Sequence, residues 1–221
     1  MKIKKTIKKI RKKIKKFHIS NYSSESFYGL SGLRWLPEEK KKSLKDGIFL
    51  DVGAFDGDSS LALYFAFSPK TIYAFEPEKN NFLILQKNSK LIKEAVIQPI
   101  QMGLSNISKT EYISSENTAS RIEKTGQEIK ITTINDFAIN QKIKVDLIKM
   151  DIEGEEKNAI LGAKEIIKRD KPALAISIYH RPEDFFEIKS YLQELVPEYK
   201  FIIKKANPLS LTHELMLLAY I

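Results

Sequence analysis

The chain of 221 residues contains no cysteine, which excludes disulfide bonds, thiolate metal sites and cysteine nucleophiles. It has no run of about 18 apolar residues, and its first residues lack the continuous apolar core of a signal peptide. The sequence therefore predicts neither a membrane-spanning helix nor secretion. We expect a cytoplasmic protein with one hydrophobic core, since this length is short for two.

Acidic residues are absent from residues 1–16, which hold ten lysines and arginines. The whole chain has a net charge of +9, so this segment carries +10 and the remaining residues sum to about −1. Because the body is nearly neutral, it has no overall field that would attract a polyanion. The sequence therefore does not favour nucleic acid as a partner.

The basic segment carries one apolar stripe, whose members are spaced alternately by four and three residues. They are Ile3, Ile7, Ile10, Ile14 and Phe17. On a helix this spacing brings them to one face, so we predict a basic amphipathic helix over residues 1–19. Such a helix can lie on an anionic membrane surface, pack on a partner or on the body of the protein, or stay solvated. Peripheral contact with the inner face of a membrane through residues 1–17 is therefore a hypothesis.

Residues 20–46 contain aromatic residues broken by glycines, followed by Pro37 and a polar run, which predicts a collar or lid with one or two short helices. From residue 47 onward, β-rich runs alternate with helical patterns, and this order implies parallel strands. We predict a doubly wound α/β fold with a mostly parallel sheet over residues 47–221. The predicted strands are Ile48–Val52, Thr71–Phe75, Val96–Gln101, Val145–Met150 and Ala173–Ile178, and the predicted helices are Ser59–Phe67, Glu78–Asn88, Glu155–Lys168 and Glu183–Leu195.

The alternation is interrupted twice. Between residues 108 and 136 the pattern changes to short β-like pieces, Glu111–Ile113 and Ile129–Thr132, which predict an inserted β-hairpin. At the end of the chain, Phe201–Lys204 and Leu215–Tyr220 follow each other without a helical pattern between them, so these strands should pair antiparallel. The polar loop of the insertion contains Asn117, Ser120 and Arg121.

The first predicted strand is followed by a turn with two glycines. Asp51 stands near the end of the strand, and Gly53 and Gly57 lie in the turn before the first helix. In open α/β sheets, ligands bind at this position, and glycine lets the backbone approach them. A dinucleotide-binding enzyme would carry Gly-x-Gly-x-x-Gly here, whereas Phe55 takes the place of the second glycine and the acidic residues would repel a pyrophosphate. The turn therefore argues against NAD.

Acidic side chains suit a positively charged ligand, such as the amino group and the sulfonium of S-adenosylmethionine. Asp51 is the candidate for this contact, while Asp56 fits either a ligand contact or a turn. Glu76 follows the second predicted strand, a position from which a carboxylate can bind the ribose hydroxyls. Because Pro77 comes next, the start of a helix is the alternative role of Glu76.

Residues 145–156 read Val-Asp-Leu-Ile-Lys-Met-Asp-Ile-Glu-Gly-Glu-Glu and strongly resemble the signature block of FkbM-type methyltransferases. The resemblance covers roughly residues 47–221 and takes in Ile48–Gly57, Ala74–Pro77, Gly103–Asn106 and Ser120–Ile122. It implies a Rossmann-like class I methyltransferase fold and methyl transfer from S-adenosylmethionine, usually to a hydroxyl oxygen of a sugar, polyketide or glycolipid. The expected cofactor-binding residues are then Asp51, Gly53, Ala54, Phe55, Asp56, Gly57, Glu76, Pro77, Gly103, Leu104, Ser105 and Asp151.

Three charged residues alternate at the end of the fourth parallel strand. Lys149, Asp151 and Glu153 project from one face of an extended chain. Parallel strands are buried on both faces, so a lysine and an acid there must pair or reach a cavity. The pattern leaves open both a buried ion pair and a catalytic group. The acids that follow, Glu155 and Glu156, are interpreted as partners of the next helix's macrodipole.

Among three histidines, His180 is the best-placed general base, because it follows the fifth parallel strand at the same rim as the expected cofactor site. A structural histidine is the alternative interpretation. We predict that His180, or else the Lys149–Asp151 pair, takes the proton of the acceptor, and that Asp151 and Glu153 orient the acceptor. The segment His213–Glu214 is expected to close the site.

The predicted reaction is O-methylation of a hydroxyl on a sugar, a glycan or a related small molecule, as in polysaccharide modification. A divalent metal on Asp151, Glu153 and His180 is an alternative that the sequence does not favour. An RNA or protein methyltransferase is a second alternative, although Asp151–Gly154 lacks the proline and aromatic residue with which base-amino methyltransferases hold a flipped base. A third is a catalytically inactive module that binds S-adenosylmethionine.

Overall fold

The structure is a computed structural model that describes residues 17–20, 25–92, 95–113, 122–123, 126–206 and 215–221. Most of the basic N-terminal segment lies outside these residues, as do Asn117, Ser120, Arg121, His213 and Glu214. The roles expected of these residues, including membrane contact, stay predictions. Among the described residues, none of the helices combines the length and the apolar character that a bilayer-spanning segment requires.

The strands alternate with helices along most of the described chain. They are β1 (Ile48–Val52), β2 (Thr71–Phe75), β3 (Ile97–Ile100), β4 (Gly103–Leu104), β5 (Lys109–Ile113), β6 (Ile122–Glu123), β7 (Gln127–Thr132), β8 (Leu147–Met150), β9 (Ala173–Ser177), β10 (Lys200–Lys205) and β11 (Leu215–Tyr220). The main sheet has the order β10-β11-β9-β8-β1-β2-β3. Its strands from β9 to β3 are parallel, whereas β11 runs antiparallel to β9 and β10 antiparallel to β11. This topology confirms the predicted fold class.

Helices cover both faces of the main sheet. They are α1 (Glu38–Ser43), α2 (Asp58–Phe67), α3 (Lys79–Ser89), α4 (Ile134–Asn140), α5 (Glu156–Leu161), α6 (Lys164–Asp170) and α7 (Pro182–Leu195). Because successive strand residues point to opposite sides, Phe49 and Leu147 pack in one buried cluster with α2 and α3, while Leu50 and Ile148 pack in another with α5, α6 and α7. Because β9, β8, β1, β2 and β3 are parallel, their carboxyl ends meet at one rim of the sheet, between the two layers of helices.

The sequence predicts one helix over Glu155–Lys168, but the structure has two, α5 and α6, separated at Gly162. The carbonyl oxygen of Gly162 accepts a hydrogen bond from the N–H of Asn135 (2.9 Å), and the Asn135 side chain accepts one from the N–H of Ile166 (3.2 Å). These bonds replace the one that would join Gly162 to Ile166 in a continuous helix. The break therefore results from a tertiary contact with α4.

The region predicted as an inserted hairpin belongs to a separate four-stranded sheet with the order β4-β7-β5-β6. Strands β5 and β7 pair antiparallel, while β4 pairs parallel to β7 and connects this sheet to the residues after β3. The sequence prediction missed α4, which begins inside this region. Its start is capped by the Thr133 hydroxyl, which accepts a hydrogen bond from the N–H of Asp136 at 2.9 Å.

The predicted collar contains two short helical turns, Glu25–Gly29 and Leu33–Trp35, followed by α1. Its contact with the sheet is made by leucines, since Leu33, Leu36 and Leu44 are buried in the same cluster as Phe49. The aromatic residues of the collar are only half-buried. The aromatic residues noted in the sequence therefore form the outer layer of the collar.

Gly162 has helical backbone angles but no room for a side chain, because an added Cβ would lie 2.1 Å from the carbonyl oxygen of Ser105. We expect Gly162→Ala to lower the free energy of unfolding by about 1–3 kcal/mol through overpacking, and the Tm by roughly 2–4 °C per kcal/mol. Thermal unfolding followed by circular dichroism measures both. The control is Leu161→Ala at the exposed neighbouring position, which should stay close to wild type. An unchanged Tm for Gly162→Ala would contradict this packing.

Candidate active site

The turn after β1 brings the carboxyl ends of three strands together. Gly53 and Gly57 have φ angles of +80° and +92°, which favour glycine. A Cβ at Gly53 would lie 1.9 Å from the carbonyl oxygen of Asp151, so the turn approaches the end of β8 more closely than a side chain would allow. The N–H groups of Gly53 and Ala54 both donate to the carbonyl oxygen of Phe75, at 3.1 and 2.9 Å, and join the turn to β2.

A buried ion pair lies beneath this turn. The carboxylate of Asp51 is fully buried, and its Oδ2 accepts hydrogen bonds from the hydroxyls of Ser59 (2.7 Å) and Ser60 (2.5 Å). Its Oδ1 lies 3.2 Å from Nζ of Lys149, and this ammonium also donates to the carbonyl oxygen of Gly53 at 2.8 Å. The Asp51 charge thus has protein partners, and its position suits a role in fixing the turn.

Lys149 does not fit the role of a base. Burial alone would lower the pKa of its ammonium, but the negative charges of Asp51, Asp151 and Asp58 outweigh this effect and hold the pKa above its ordinary value. Lys149 therefore stays protonated. Among the described residues its ion-pair partner is Asp51 and not Asp151, so the geometry favours the buried ion pair over the Lys149–Asp151 base.

Glu76 is a buried carboxylate at the rim, directly after β2. Its Oε2 accepts a hydrogen bond from the N–H of Phe55 (3.0 Å) and its Oε1 one from the N–H of Glu78 (2.9 Å). Burial raises the pKa of Glu76 to about 7, although these hydrogen bonds act in the opposite direction. The carbonyl oxygen of Pro77 accepts a hydrogen bond from the side chain of Gln127 at 3.0 Å, which joins this part of the rim to the small sheet. Glu76 is thus a buried acceptor with lone pairs available for hydroxyl groups.

Asp56 binds another part of the chain. Its Oδ2 accepts hydrogen bonds from the N–H and the hydroxyl of Ser20, both at 2.7 Å, and its Oδ1 one from the N–H of Asp58 at 3.2 Å. Asn88 completes the contact, because its side chain bonds the N–H of His18 (2.7 Å) and the carbonyl oxygen of Asp56 (2.7 Å). The carboxylate predicted to contact the cofactor therefore holds residues 17–20 on the turn.

These contacts also correct the predicted extent of the N-terminal helix. Residues 17–19 are not helical, since the backbone groups of His18 and Ser20 bond the side chains of Asn88 and Asp56. Phe17, the last member of the apolar stripe, is buried and packs edge-on against Phe65 with ring centroids 6.5 Å apart. This end of the stripe therefore packs on the body of the protein.

Gly103, Leu104 and Ser105 follow β3 by a few residues. The first two form β4, and the N–H of Ser105 donates to the carbonyl oxygen of Thr132 at 3.1 Å. Leu104 and Ser105 are buried, and the backbone of Ser105 contacts Gly162. The structure thus uses these residues to attach the small sheet, and their contact with a cofactor stays a prediction.

His180 lies at the end of β9 with each ring nitrogen facing a carboxylate. Its Nδ1 is 2.8 Å from Oε1 of Glu156, and its Nε2 is 3.5 Å from Oδ1 of Asp151 and 3.7 Å from Oε2 of Glu153. The Tyr179 hydroxyl also donates to Asp151 Oδ1, at 3.4 Å. Burial alone would lower the pKa of His180, but the hydrogen bond with Glu156 and the charges of the three carboxylates raise it. The structure thus brings together three of the predicted catalytic residues.

The sequence suggested only a macrodipole role for Glu156 and missed its contact with His180, which it makes as a fully buried side chain. Its Oε1 accepts a hydrogen bond from the N–H of Ile152 (2.8 Å) in addition to facing His180. The pattern of α5 contains the signal, because Glu156 stands three and four residues before the buried Ala159 and Ile160, on the helix face that points to the core. An acid on such a face requires a buried partner.

A family model for the methyltransferase FkbM domain matches residues 51–202, which is more than half of the chain. The chain belongs to the FkbM methyltransferase family. This membership confirms the resemblance seen in residues 145–156, and the matched region contains both the turn after β1 and His180. No curated protein matches the chain at a significant level.

Solved structures share the fold of this FkbM chain. The FkbM methyltransferase from Methylobacillus flagellatus KT has a TM-score of 0.69 and 24% identity over 89% of this chain, which spans only 48% of that protein. Aeropyrum pernix fibrillarin with bound S-adenosyl-L-methionine has a TM-score of 0.54 and 14% identity, over 90% of this chain and 76% of its own. SMU.1697c from Streptococcus mutans, in complex with SAH, has a TM-score of 0.52 and 13% identity, over 83% of this chain and 94% of its own. These likenesses confirm a Rossmann-like class I methyltransferase fold.

One group of described side chains in this FkbM chain has the composition of a metal site. Ligand atoms of Asp151, Glu156 and His180 lie within 4.8 Å of one another, and Glu153, which the sequence suggested, is not part of this group. The imidazole ring stands between the two carboxylates, with a different nitrogen facing each. No single ring nitrogen therefore faces both: Nδ1 lies within hydrogen-bond distance of Glu156, whereas Nε2 lies 3.5 Å from Asp151.

Removing one partner of the buried ion pair should destabilise the protein. Lys149→Met fills a similar volume but leaves the Asp51 charge without its cation, and breaking a buried pair costs about 3–5 kcal/mol. Denaturant unfolding measures this loss. The double variant Lys149→Met with Asp51→Asn should recover part of it, because no unpaired charge remains. Equal stability of Lys149→Met and the wild type would show that the pair does not support the turn.

Proposed function

We propose that this FkbM-family chain transfers a methyl group from S-adenosylmethionine to a hydroxyl oxygen of a sugar, a glycan or a related small molecule, with His180 as the general base. The observation that carries the proposal is the orientation of His180. Its Nδ1 faces the buried Glu156, and its Nε2 faces the rim beside Asp151 and Glu153. A base in this orientation can accept a proton from a group held at the ends of β8 and β9.

The chemistry of the rim fits S-adenosylmethionine. Glu76 would hold the ribose hydroxyls, because it is a buried carboxylate after β2. The backbone of Gly53–Gly57 would hold the methionine part, and the acidic residues nearby suit its positive charges. When bound, the cofactor supplies a methyl group that its positively charged sulfur has already activated. Asp51 and Lys149 would act from below, by keeping the turn in place.

The remaining residues have two roles: one accepts a proton and two align the acceptor. His180 accepts the proton of the acceptor hydroxyl at Nε2, which contributes a factor of about 10² to 10⁴ to the rate. Asp151 and the half-exposed Glu153 accept hydrogen bonds from neighbouring hydroxyls, a feature of sugars, and so align the acceptor. Alignment of this kind contributes up to about 7–11 kcal/mol. Because only neutral His180 is a base, the rate should rise with pH through a pKa above the ordinary 6.5.

Glu76→Gln should weaken cofactor binding. Hydrogen bonds to a charged group contribute about 1.5–3 kcal/mol each, so the Kd for S-adenosylmethionine should rise at least about 10-fold. Wild-type affinity should also increase as the pH rises through about 7, where Glu76 becomes charged, and the variant should lose this dependence. Isothermal titration calorimetry measures both effects, with Glu128→Gln at an exposed position as the control. Binding of NAD in place of S-adenosylmethionine would overturn the proposal.

His180→Asn should abolish most of the methylation without changing the Kd for S-adenosylmethionine. The measurement is mass spectrometry of glycans and lipids from cells that make the wild type, the variant or neither protein, in search of a gain of one CH₂ unit. The control is His18→Asn, because the His18 side chain is exposed and only its backbone bonds Asn88.

Each other outcome points to a different function. Full methylation by His180→Asn would reject His180 as the base. Loss of wild-type methylation after treatment with EDTA would favour the metal alternative on Asp151, Glu156 and His180. Methylated RNA or protein in place of glycans or lipids would change the acceptor class. Cofactor binding that depends on Glu76, without any methylated product, would indicate an inactive binding module.

A further inference from the structure

We infer that Glu156 is the positioning residue of this site: it holds His180 with Nδ1 protonated and leaves Nε2 free to take a proton. The inference rests on the proposed function of His180 as the base. Glu156 itself does not reach the rim, because its side chain is fully buried at the start of α5. Its effect on the reaction therefore passes through the imidazole.

The carboxylate of Glu156 is held in a fixed orientation. Its Oε1 accepts a hydrogen bond from the N–H of Ile152 at 2.8 Å, and this backbone group belongs to the segment that follows β8. The same oxygen lies 2.8 Å from Nδ1 of His180, which follows β9. Glu156 thus joins the ends of two neighbouring parallel strands, and its position does not depend on the orientation of the histidine ring.

This contact decides which tautomer the histidine adopts. A carboxylate oxygen can only accept a hydrogen bond, so Nδ1 at 2.8 Å must carry the hydrogen. In neutral His180 the lone pair then lies on Nε2, which faces the rim. The opposite tautomer would place the Nδ1 lone pair 2.8 Å from the buried Glu156 oxygen, a closer contact between two acceptors than the 3.5 and 3.7 Å at which Nε2 faces Asp151 and the half-exposed Glu153.

Glu156 also supplies a negative charge for the imidazolium that forms when His180 takes a proton. Its Oε2 is buried and has no hydrogen-bond partner among the described residues, so no hydrogen bond there competes with the ring for this charge. Asp184 of α7 is also buried, and burial together with the charge of Glu156 raises the pKa of Asp184 to about 6. Among the described residues, the charged groups that act on His180 are Glu156, Asp151 and Glu153, and the Tyr179 ring lies against it; those that act on Asp184 are Glu156, Arg181, His180 and Glu183.

The experiment combines nitrogen NMR of the histidine rings with kinetics of the full-length protein on the glycan or lipid fraction that gains a CH₂ unit in the mass spectra. In the wild type, the ¹⁵N shifts of His180 should show hydrogen on Nδ1 and none on Nε2 in the neutral form. Glu156→Gln keeps the size of the side chain but removes its charge. It should lower the pKa of His180, move the acid limb of the rate profile to lower pH, and reduce kcat by about 10²- to 10⁴-fold, the range for a wrongly oriented histidine base.

The controls separate positioning from folding. Glu155→Gln changes the neighbouring carboxylate, which bonds Asn158 and Arg181 and is not among the groups that shift the pKa of His180, so the tautomer and pKa of His180 should stay as in the wild type. Glu156→Asp retains the charge and should keep the raised pKa of His180 even if kcat falls. In both variants and in Glu156→Gln, the Kd for S-adenosylmethionine should stay unchanged, because Glu76 and the turn are intact.

The outcomes distinguish this inference from the proposed function. If the wild-type ring carries its hydrogen on Nε2, or if Glu156→Gln leaves the pKa of His180 unchanged, positioning by Glu156 is rejected even when His180 is essential. If the tautomer and the pKa respond as expected but His180→Asn still methylates fully, the orientation of the ring by Glu156 stands and the assignment of the base fails. The wild-type NMR spectrum decides the tautomer even if Glu156→Gln does not fold.

Discussion

The candidate site depends on the buried pair of Lys149 and Asp51. Two charges removed from water are tolerated only when their remaining hydrogen-bonding groups are also satisfied. Lys149 also donates to the carbonyl oxygen of Gly53, and Oδ2 of Asp51 accepts from the hydroxyls of Ser59 and Ser60, while Oδ1 faces the ammonium at 3.2 Å. The pair therefore connects β8, the turn after β1 and the start of α2. The rim on which cofactor and acceptor would meet takes its shape from these contacts.

Two halves of the rim differ in their electrostatics. Glu76, on the side of β2, is buried with backbone N–H groups as partners, and burial raises its pKa to about 7. His180, on the side of β9, is surrounded by carboxylates, which keep its pKa above its ordinary value. One half thus offers a carboxylate for hydroxyl groups, and the other a histidine whose neighbours stabilise its charged form. Lys149 stays charged beneath the turn that joins the two halves.

Residues outside the region matched by the family model also shape the turn. The match begins at residue 51, yet the backbone of residues 17–20 bonds Asp56 and Asn88, and Phe17 packs against Phe65 of α2. Residues 17–20 are therefore part of the packing around the expected cofactor turn. Asp56, which the sequence suggests as a ligand contact, instead binds Ser20 of these residues.

The sequence by itself determined the five parallel strands and the rim at which Asp51, Glu76, Asp151 and His180 stand, because strand periodicity and the rule for open α/β sheets act locally. It did not predict the short strands β4 and β6. Residues 145–156 also indicated the family to which the chain belongs. Only the tertiary structure decided the partners: Lys149 pairs with Asp51, Asp56 with Ser20 and His180 with Glu156, and Asn135 interrupts the helix at Gly162. The physical reason is that a buried polar group takes whichever partner packing brings within hydrogen-bond distance. Local periodicity contains no information about residues that meet only after the chain has folded.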